Sequence, residues 1–314
     1  MTLFLSADDV RPLVSMSDAI ASLEEAFRCW DDPWAFNLPR QRMPIPDNVV
    51  NVLAGVVPGG DVYGVRTSTP GRHGNMLMLS SVSERRLLAV MACGPITDMR
   101  TGAASGVATK CLARADASRV GIIGSGRTAR TQLLAMCTSK RISAIRVYSG
   151  TEANRVRFAD EMNETLGLPV TPAARAEDAV ADADIIVTAT NAAEPVLRGR
   201  WVPPGAHVNA IGANALDRRE LDDDAYLRAA VVAIDHIEQG KREAGALCAL
   251  HASGQMSWDK VTELGDIVRG AKPGRQSARD ITVFHSLGLG FADVVYGYAV
   301  YKKAVKAGIG RDVP

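Results

Sequence analysis

The chain lacks the features that would send it to nucleic acid, a membrane or a metal. Its 36 basic and 35 acidic residues leave a formal net charge of +1, so no basic surface is implied and nucleic acid is not an expected partner. The densest like-charge patch, Asp222-Asp223-Asp224, is too short for an interaction tail. No apolar run approaches the roughly 20 residues a membrane helix needs. The apolar start, Met1 to Leu5, gives way at once to Ser6-Ala7-Asp8-Asp9 and is too short for a signal peptide. Five cysteines (Cys29, Cys93, Cys111, Cys137 and Cys248) are scattered without ligand spacing and suit free thiols in a reducing compartment. Five histidines (His73, His207, His236, His251 and His285) have no histidine partner at i+3 or i+4, so no metal is expected. Repeats and low-complexity segments are missing too. These absences describe a globular, cytoplasmic protein, and 314 residues allow two domains of about 100–200 residues each.

What is present centres on Arg119 to Leu134, R-V-G-I-I-G-S-G-R-T-A-R-T-Q-L-L. Val120 to Ile123 read as a buried parallel strand, and from Arg127 the apolar residues Ala129, Leu133, Leu134 and Met136 take helix-face spacing. Between them lies Gly124-x-Gly126-x-x-Ala129. In a dinucleotide-binding unit Gly124 permits the turn, Gly126 lets the backbone approach a pyrophosphate, and Ala129 lets helix and strand pack closely. The phosphates then face unpaired N–H groups at the helix N-terminus. A glycine triplet alone also marks ordinary turns; the strand before it and the helix after it supply the required context.

Upstream, residues 17–30 predict an amphipathic helix with Ile20, Leu23, Phe27 and Trp30 on one face and Ser17 as N-cap. The segment Asp31 to Pro46, rich in proline and tryptophan, breaks that helix and carries Arg40 and Arg42. Strand-like runs follow at 49–53, 62–67, 76–79 and 87–91, with turn signals at Pro58-Gly59-Gly60-Asp61, Pro70-Gly71 and Ser83-Glu84-Arg85. Four strands without intervening helices predict a mixed or antiparallel sheet separate from the dinucleotide unit. Thr97 to Lys110, rich in small residues, predicts a helix that approaches a neighbour closely. Lys110 reads as a solvated residue of that helix.

Downstream, strands at 145–148, 169–171, 184–190, 207–212 and 230–235 alternate with helices at 151–166 (Thr151 as cap) and 176–181. That alternation means a parallel, doubly wound sheet. The fold class is therefore α/β, a Rossmann-type sheet plus a smaller α+β domain. His207, within a buried strand, reads as structural. A last helix runs from Gly290 to Lys306 and could pack on either domain.

The chain resembles the ornithine cyclodeaminase/mu-crystallin family over nearly its full length. The resemblance rests on Thr97-Asp98-Met99-Arg100-Thr101-Gly102-Ala103-Ala104-Ser105-Gly106-Val107-Ala108-Thr109, on Gly121 to Ala129, on Pro204 to Ala213 and on Ser286 to Asp293. It implies a homodimer, a substrate and dimerisation domain of residues 1–117 with 291–314, and a Rossmann domain of residues 118–290. It also implies that Arg40 and Arg100 bind a substrate carboxylate, which suits the planar fork of a guanidinium.

Two positions depart from the cyclodeaminases. Arg66 stands where they have a lysine, and Asn214, after Gly212-Ala213, stands where they have an aspartate proposed to move protons. Asparagine cannot deliver a proton, and arginine stays charged at ordinary pH. Arg66 and Asn214 are the candidate catalytic positions, and both substitutions remove a titratable group. That argues against a proton-shuttling lyase and suits hydride delivery to an iminium that arrives protonated. The expected cofactor contacts are Gly124, Ser125, Gly126, Arg127, Thr128, Ala129, Ser149, Gly150, Thr151, Thr190, Asn191 and, on the resemblance alone, Asp293.

The cofactor expected is NAD(P). A NAD site has an acid at the end of the second strand, about 20 residues past the glycines. Here that strand ends Val147-Tyr148-Ser149-Gly150-Thr151, and Ser149, Thr151 and Arg155 are left to hold a 2′-phosphate, so the balance falls to NADP. Three activities fit: reduction of a small imino acid or its amino-acid dehydrogenase counterpart, a cyclodeaminase lyase reaction, and dinucleotide binding without catalysis.

Overall fold

The computed structural model describes residues 1–69 and 74–313; the Pro70-Gly71 turn signal and His73 lie outside the described residues. The chain forms two compact units, Met1–Ala103 with Gly288–Pro314, and Ala104–Leu287. The sequence put these boundaries after 117 and after 290. The observed first boundary falls inside the helix Gly94–Leu112, which runs from one unit into the other.

The first unit is built on seven strands: β1 (Thr2–Leu5), β2 (Phe36–Ile45), β3 (Asn48–Val56), β4 (Val62–Ser68), β5 (Met76–Ser81), β6 (Arg86–Ala92) and β15 (Arg311–Val313). Their order is β15-β1-β6-β5-β4-β3-β2, mixed because β1 runs parallel to β6. Strand β2 lies in the proline-rich segment that the sequence marks only as a helix break. Pro39 and Pro44 are tolerated there because β2 is an edge strand, where a missing N–H costs no ladder bond, and the register slips between Leu38 and Gln41. The helix Met16–Arg28 buries Ile20, Leu23 and Phe27, as its periodicity predicts. Its N-cap is Ser15 rather than Ser17: the Ser15 hydroxyl accepts from the Asp18 N–H at 3.2 Å.

The last helix, Gly290–Ala307, lies directly on this sheet. A Cβ on Gly55 would come within 2.5 Å of the Phe291 Cα, and one on Gly290 within 2.5 Å of the Ala54 N–H nitrogen. Both glycines are required by that approach. Trp30, past the end of the Met16–Arg28 helix, packs edge-on against Phe291 with ring centroids 5.2 Å apart.

The second unit holds β7 (Arg119–Ile123), β8 (Ala144–Tyr148), β9 (Val170–Pro172), β10 (Ile185–Thr188), β11 (His207–Ala210), β12 (Val231–Ile234), β13 (Val261–Glu263) and β14 (Thr282–His285). All eight pair parallel in the order β13-β12-β14-β11-β10-β7-β8-β9. The central strands β7 and β10 are buried on both faces, which explains the short, unbroken apolar runs Val120–Ile123 and Ile185–Val187. Val208 and Val283, paired across β11 and β14, are fully buried, each worth roughly 1.5–3 kcal/mol. From β7 the chain winds one way through β8 to β9, and later the other way from β10. The crevice between β7 and β10 is therefore the topological switch point, where α/β sheets bind ligands.

Candidate functional site

The glycine turn follows β7 at this switch point. Gly124 has φ +121°, and a Cβ there would stand 2.3 Å from the Ala189 carbonyl oxygen, so only glycine fits. Gly126 is the N-cap of the helix Arg127–Ser139, and no side chain caps it. An anion is the natural ligand of such a helix N-terminus. A Cβ on Gly126 or on Gly150 would meet nothing within 4 Å. Arg130 holds the turn from behind, donating to the carbonyls of Ser125 at 2.9 Å and Gly126 at 3.1 Å while its other nitrogens pair with Glu161.

A cavity of about 750 Å³ opens in front of the turn, wholly within the second unit. Of the residues expected to touch a cofactor, Gly124, Ser125, Gly126, Arg127, Thr128, Ser149, Gly150, Thr190 and Asn191 line it. Ala129 does not; it is fully buried beneath the turn. Thr151 does not line it either, and occupies an N-cap position without a capping bond. Asn214 does line it, together with Ile211, Gly212 and Arg218, which the sequence reading did not single out.

Two buried groups shape the far side of this cavity. Glu220, only 1 % exposed, accepts four hydrogen bonds: Oε1 from the N–H and hydroxyl of Thr190 (2.6 and 2.8 Å), Oε2 from the Gly212 N–H (2.5 Å) and the Thr188 hydroxyl (3.0 Å). Burial pushes its carboxyl up, against the pull of those bonds. His285 donates from Nε2 to the Ala213 carbonyl at 2.9 Å, so its Nδ1 accepts the Tyr226 hydroxyl at 2.7 Å. Burial holds His285 below its ordinary value. The Gly212-Ala213-Asn214 turn is thus pinned on both sides. Glu220 carried no sequence signal beyond being an acid beside an apolar residue.

The charged cluster lies in the first unit. Asp293, in the first turn of the last helix, is fully buried and accepts from Arg100 Nε at 2.9 Å, the Thr97 hydroxyl at 3.1 Å and Arg66 Nη1 at 3.4 Å. Arg100 is 4 % exposed and Arg66 8 %, so neither is a surface ion pair. Burial alone would raise the Asp293 carboxyl, but Arg100 and then Arg66 outweigh it and hold it below the usual carboxylate range. Burial also pushes up the neighbouring Cys93 thiol. Arg40 joins the group from β2, donating Nη2 to the Gly288 carbonyl at 2.9 Å. Gly288, at φ +77°, leaves room for Arg100, whose Nη1 would be 2.7 Å from a Cβ there. Arg66 and Arg100 are therefore brought together with Asp293 as counter-ion, and Arg40 reaches Gly288, against which Arg100 packs. Among the described residues no His, Cys, Asp and Glu side chains gather in a way that could hold a metal ion, and no helix is long and apolar enough to cross a membrane.

Comparison with known proteins agrees with this architecture. The chain is 32 % identical to a Delta(1)-pyrroline-2-carboxylate reductase of Bacillus cereus, over 99 % of each chain. It is similar to the Thermococcus litoralis Delta(1)-pyrroline-2-carboxylate reductase solved with NADH and L-proline, at 34 % identity and a TM-score of 0.93, covering 99 % of this chain and 100 % of that one. It is also similar to an archaeal alanine dehydrogenase dimer with bound NAD, at 31 % identity and a TM-score of 0.91, covering 100 % and 99 %. The model of the ornithine cyclodeaminase/mu-crystallin family matches residues 1–308, and the chain belongs to that family.

Proposed function

We propose that this chain is an NAD(P)H-dependent oxidoreductase that reduces a small imino acid bearing a carboxylate, with the amino-acid dehydrogenase reaction as its near variant. The observation that carries the reading is the uncapped helix N-terminus at Gly126, opening on a cavity at the switch point of the parallel sheet. The residues present fit a dinucleotide: the space a Cβ of Gly126 or Gly150 would enter is open, and the N–H groups of a first helical turn suit a phosphate. When bound, NAD(P)H supplies a hydride. The rest is for side chains of this chain to do. Arg100 and Arg40 hold the substrate carboxylate, and Asp293 orients Arg100 through Nε, leaving the terminal nitrogens for the acid. Arg66 adds charge without a transferable proton, and Asn214 offers hydrogen bonds only. The substrate nitrogen accordingly arrives protonated, as an iminium.

The finer choice of cofactor is NADP. The strand β8 ends in Tyr148, with Ser149 and Gly150 lining the cavity, and no carboxylate is among the residues that line it. Arg155 lies over Tyr148 and donates to the Ser149 carbonyl at 3.3 Å, and Arg127 lines the same cavity. The solved relatives hold NADH and NAD, so this preference is argued from the chain's own residues.

A homodimer through the first sheet is part of the same reading. One face of β3, β4 and β5 meets the last helix through Gly55, Gly64 and Leu77. The alternate residues on the other face include Val65 opposite Met78 and Val56 opposite Tyr63, and Tyr63 and Met78 are 43 % and 41 % exposed. An apolar sheet face of this kind marks an interaction surface, and the archaeal relative is described as a dimer. The scattered free thiols favour the cytoplasm.

The test is a panel of small imino, 2-oxo and amino acids (the 2-oxo acids with ammonia), with NADH and NADPH, read by nicotinamide absorbance and by ammonia release. The reading expects consumption of NADPH with an imino acid. Ammonia release without net cofactor change would mean a cyclodeaminase, and binding without turnover a non-catalytic protein.

A further inference from the structure

We propose that Glu220 is a positioning residue that sets the nicotinamide half of the dinucleotide site without touching the dinucleotide. The inference rests on the reading of the cavity as a dinucleotide site. The cavity has two sides about the glycine turn. Tyr148, Ser149 and Gly150 form one, at the end of β8, where an adenosine ribose belongs. Thr190, Asn191, Gly212 and Asn214 form the other, beyond β10 and β11, and take the remaining nucleotide.

The Glu220 carboxylate is bonded to that second side. Each of its oxygens receives one backbone N–H and one hydroxyl: Thr190 N–H and Oγ1 on Oε1, Gly212 N–H and Thr188 Oγ1 on Oε2. The two loops it joins are already in close contact, since a Cβ on Gly212 would fall 1.9 Å from the Thr190 carbonyl oxygen. Its own carbonyl accepts the N–H groups of Val196 and Leu197, tying a third segment to the same point. Glu220 does not line the cavity.

The symmetry of the acceptor set makes Glu220→Gln informative. Hydroxyl donors can turn, but a backbone N–H cannot. Whichever oxygen the glutamine replaces with NH₂, that group confronts a backbone N–H, so flipping the amide gives no relief. The Thr190 and Gly212 loops must part on one side. Thr188→Val is the gentler variant: Thr188 is fully buried, lies outside the cavity lining, and loses only its hydroxyl bond to Oε2.

The experiment titrates ADP, NADH and NADPH into the parent, Glu220→Gln and Thr188→Val by calorimetry, with nicotinamide fluorescence as a second readout. ADP probes the adenylate side alone. Glu220→Gln should weaken the preferred dinucleotide by about tenfold to a hundredfold, the scale of one hydrogen bond to a charged group. Its ADP affinity should stay that of the parent, and Thr188→Val should move the same way by less. Should Glu220→Gln prove too unstable to study, Thr188→Val carries the same comparison. Equal loss of ADP and dinucleotide affinity in the variants, or parental affinity for both, overturns the positioning role. A parent that binds neither ligand overturns the dinucleotide reading itself, and the role of Glu220 with it.

Discussion

Replacing Gly126 by valine should abolish dinucleotide binding while leaving the fold nearly untouched. Gly126 has φ −81° and ψ −176°, an extended conformation open to any residue, and a Cβ there meets nothing within 4 Å. The folding cost is that of a poorer N-cap, under about 1 kcal/mol. The open space is where a pyrophosphate must come to reach the N–H groups of the first turn. Hydrogen bonds to a charged group are worth about 1.5–3 kcal/mol each, so losing two should cost about 3–6 kcal/mol, roughly 10²- to 10⁴-fold in Kd. Gly124→Ala is the contrasting variant. At φ +121° and 2.3 Å from the Ala189 oxygen, its new methyl group clashes with backbone, so stability should fall whether or not ligand is present. The assay pairs calorimetric titration of NADPH and ADP with thermal melting of the unliganded proteins. If Gly126→Val binds both ligands as the parent does, the pyrophosphate does not lie at this turn.

Other outcomes follow from the charged cluster. Arg100→Lys keeps the charge but not the fork, and should raise KM for acid substrates by about tenfold to a hundredfold with NADPH affinity unchanged, since Arg100 does not line the dinucleotide cavity; steady-state kinetics with cofactor titration checks this. Asp293→Asn leaves Arg66 and Arg100 buried without their carboxylate and should cost about 3–5 kcal/mol of stability near neutral pH by denaturant unfolding. Because the folded pKa of Asp293 is depressed, by Arg100 and then Arg66 against burial, its contribution is present above the ordinary carboxylate value and is lost as pH falls through the depressed one. The gap between parent and Asp293→Asn should therefore narrow in acid, and a gap independent of pH would contradict the ion-pair account. Incubation with ornithine and catalytic NAD should yield neither ammonia nor proline, because Arg66 and Asn214 lack the titratable groups of a cyclodeaminase.

Elements written in local pattern were legible. The run Val120 to Ile123, the glycine turn and the helix that follows identify themselves, because a buried parallel strand is a continuous apolar run and its turn needs glycine. Strand β2 was not legible, since Pro39 and Pro44 are strand signals only on an edge, and edge position is a property of the whole sheet. Strand β14, Thr-Val-Phe-His, hides for another reason. Two of its four residues are polar, and they are buried because Thr282 and His285 find partners in Leu112, Tyr226 and Ala213, far away in sequence.

The site divides along the same line. Nine of the twelve expected cofactor residues line the cavity because backbone chemistry dictates them: a phosphate requires glycines and helical N–H groups wherever it binds. Its second side depends on a buried carboxylate held by backbone N–H groups and hydroxyls, which composition and periodicity cannot distinguish from any surface acid. Glu220 becomes special only once β10 and β11 are neighbours and one donor from β10, two from the turn after it and one from the turn after β11 converge on it. The same holds for Asp293. In sequence it is an acid in the first turn of a helix, favourable there on dipole grounds alone. In the fold that helix returns to the sheet carrying Arg66, and the carboxylate meets two arginines, one 193 and one 227 residues away along the chain. Charge pairing over such separations is set by topology, so the arginines' task is read from the carboxylate that holds them.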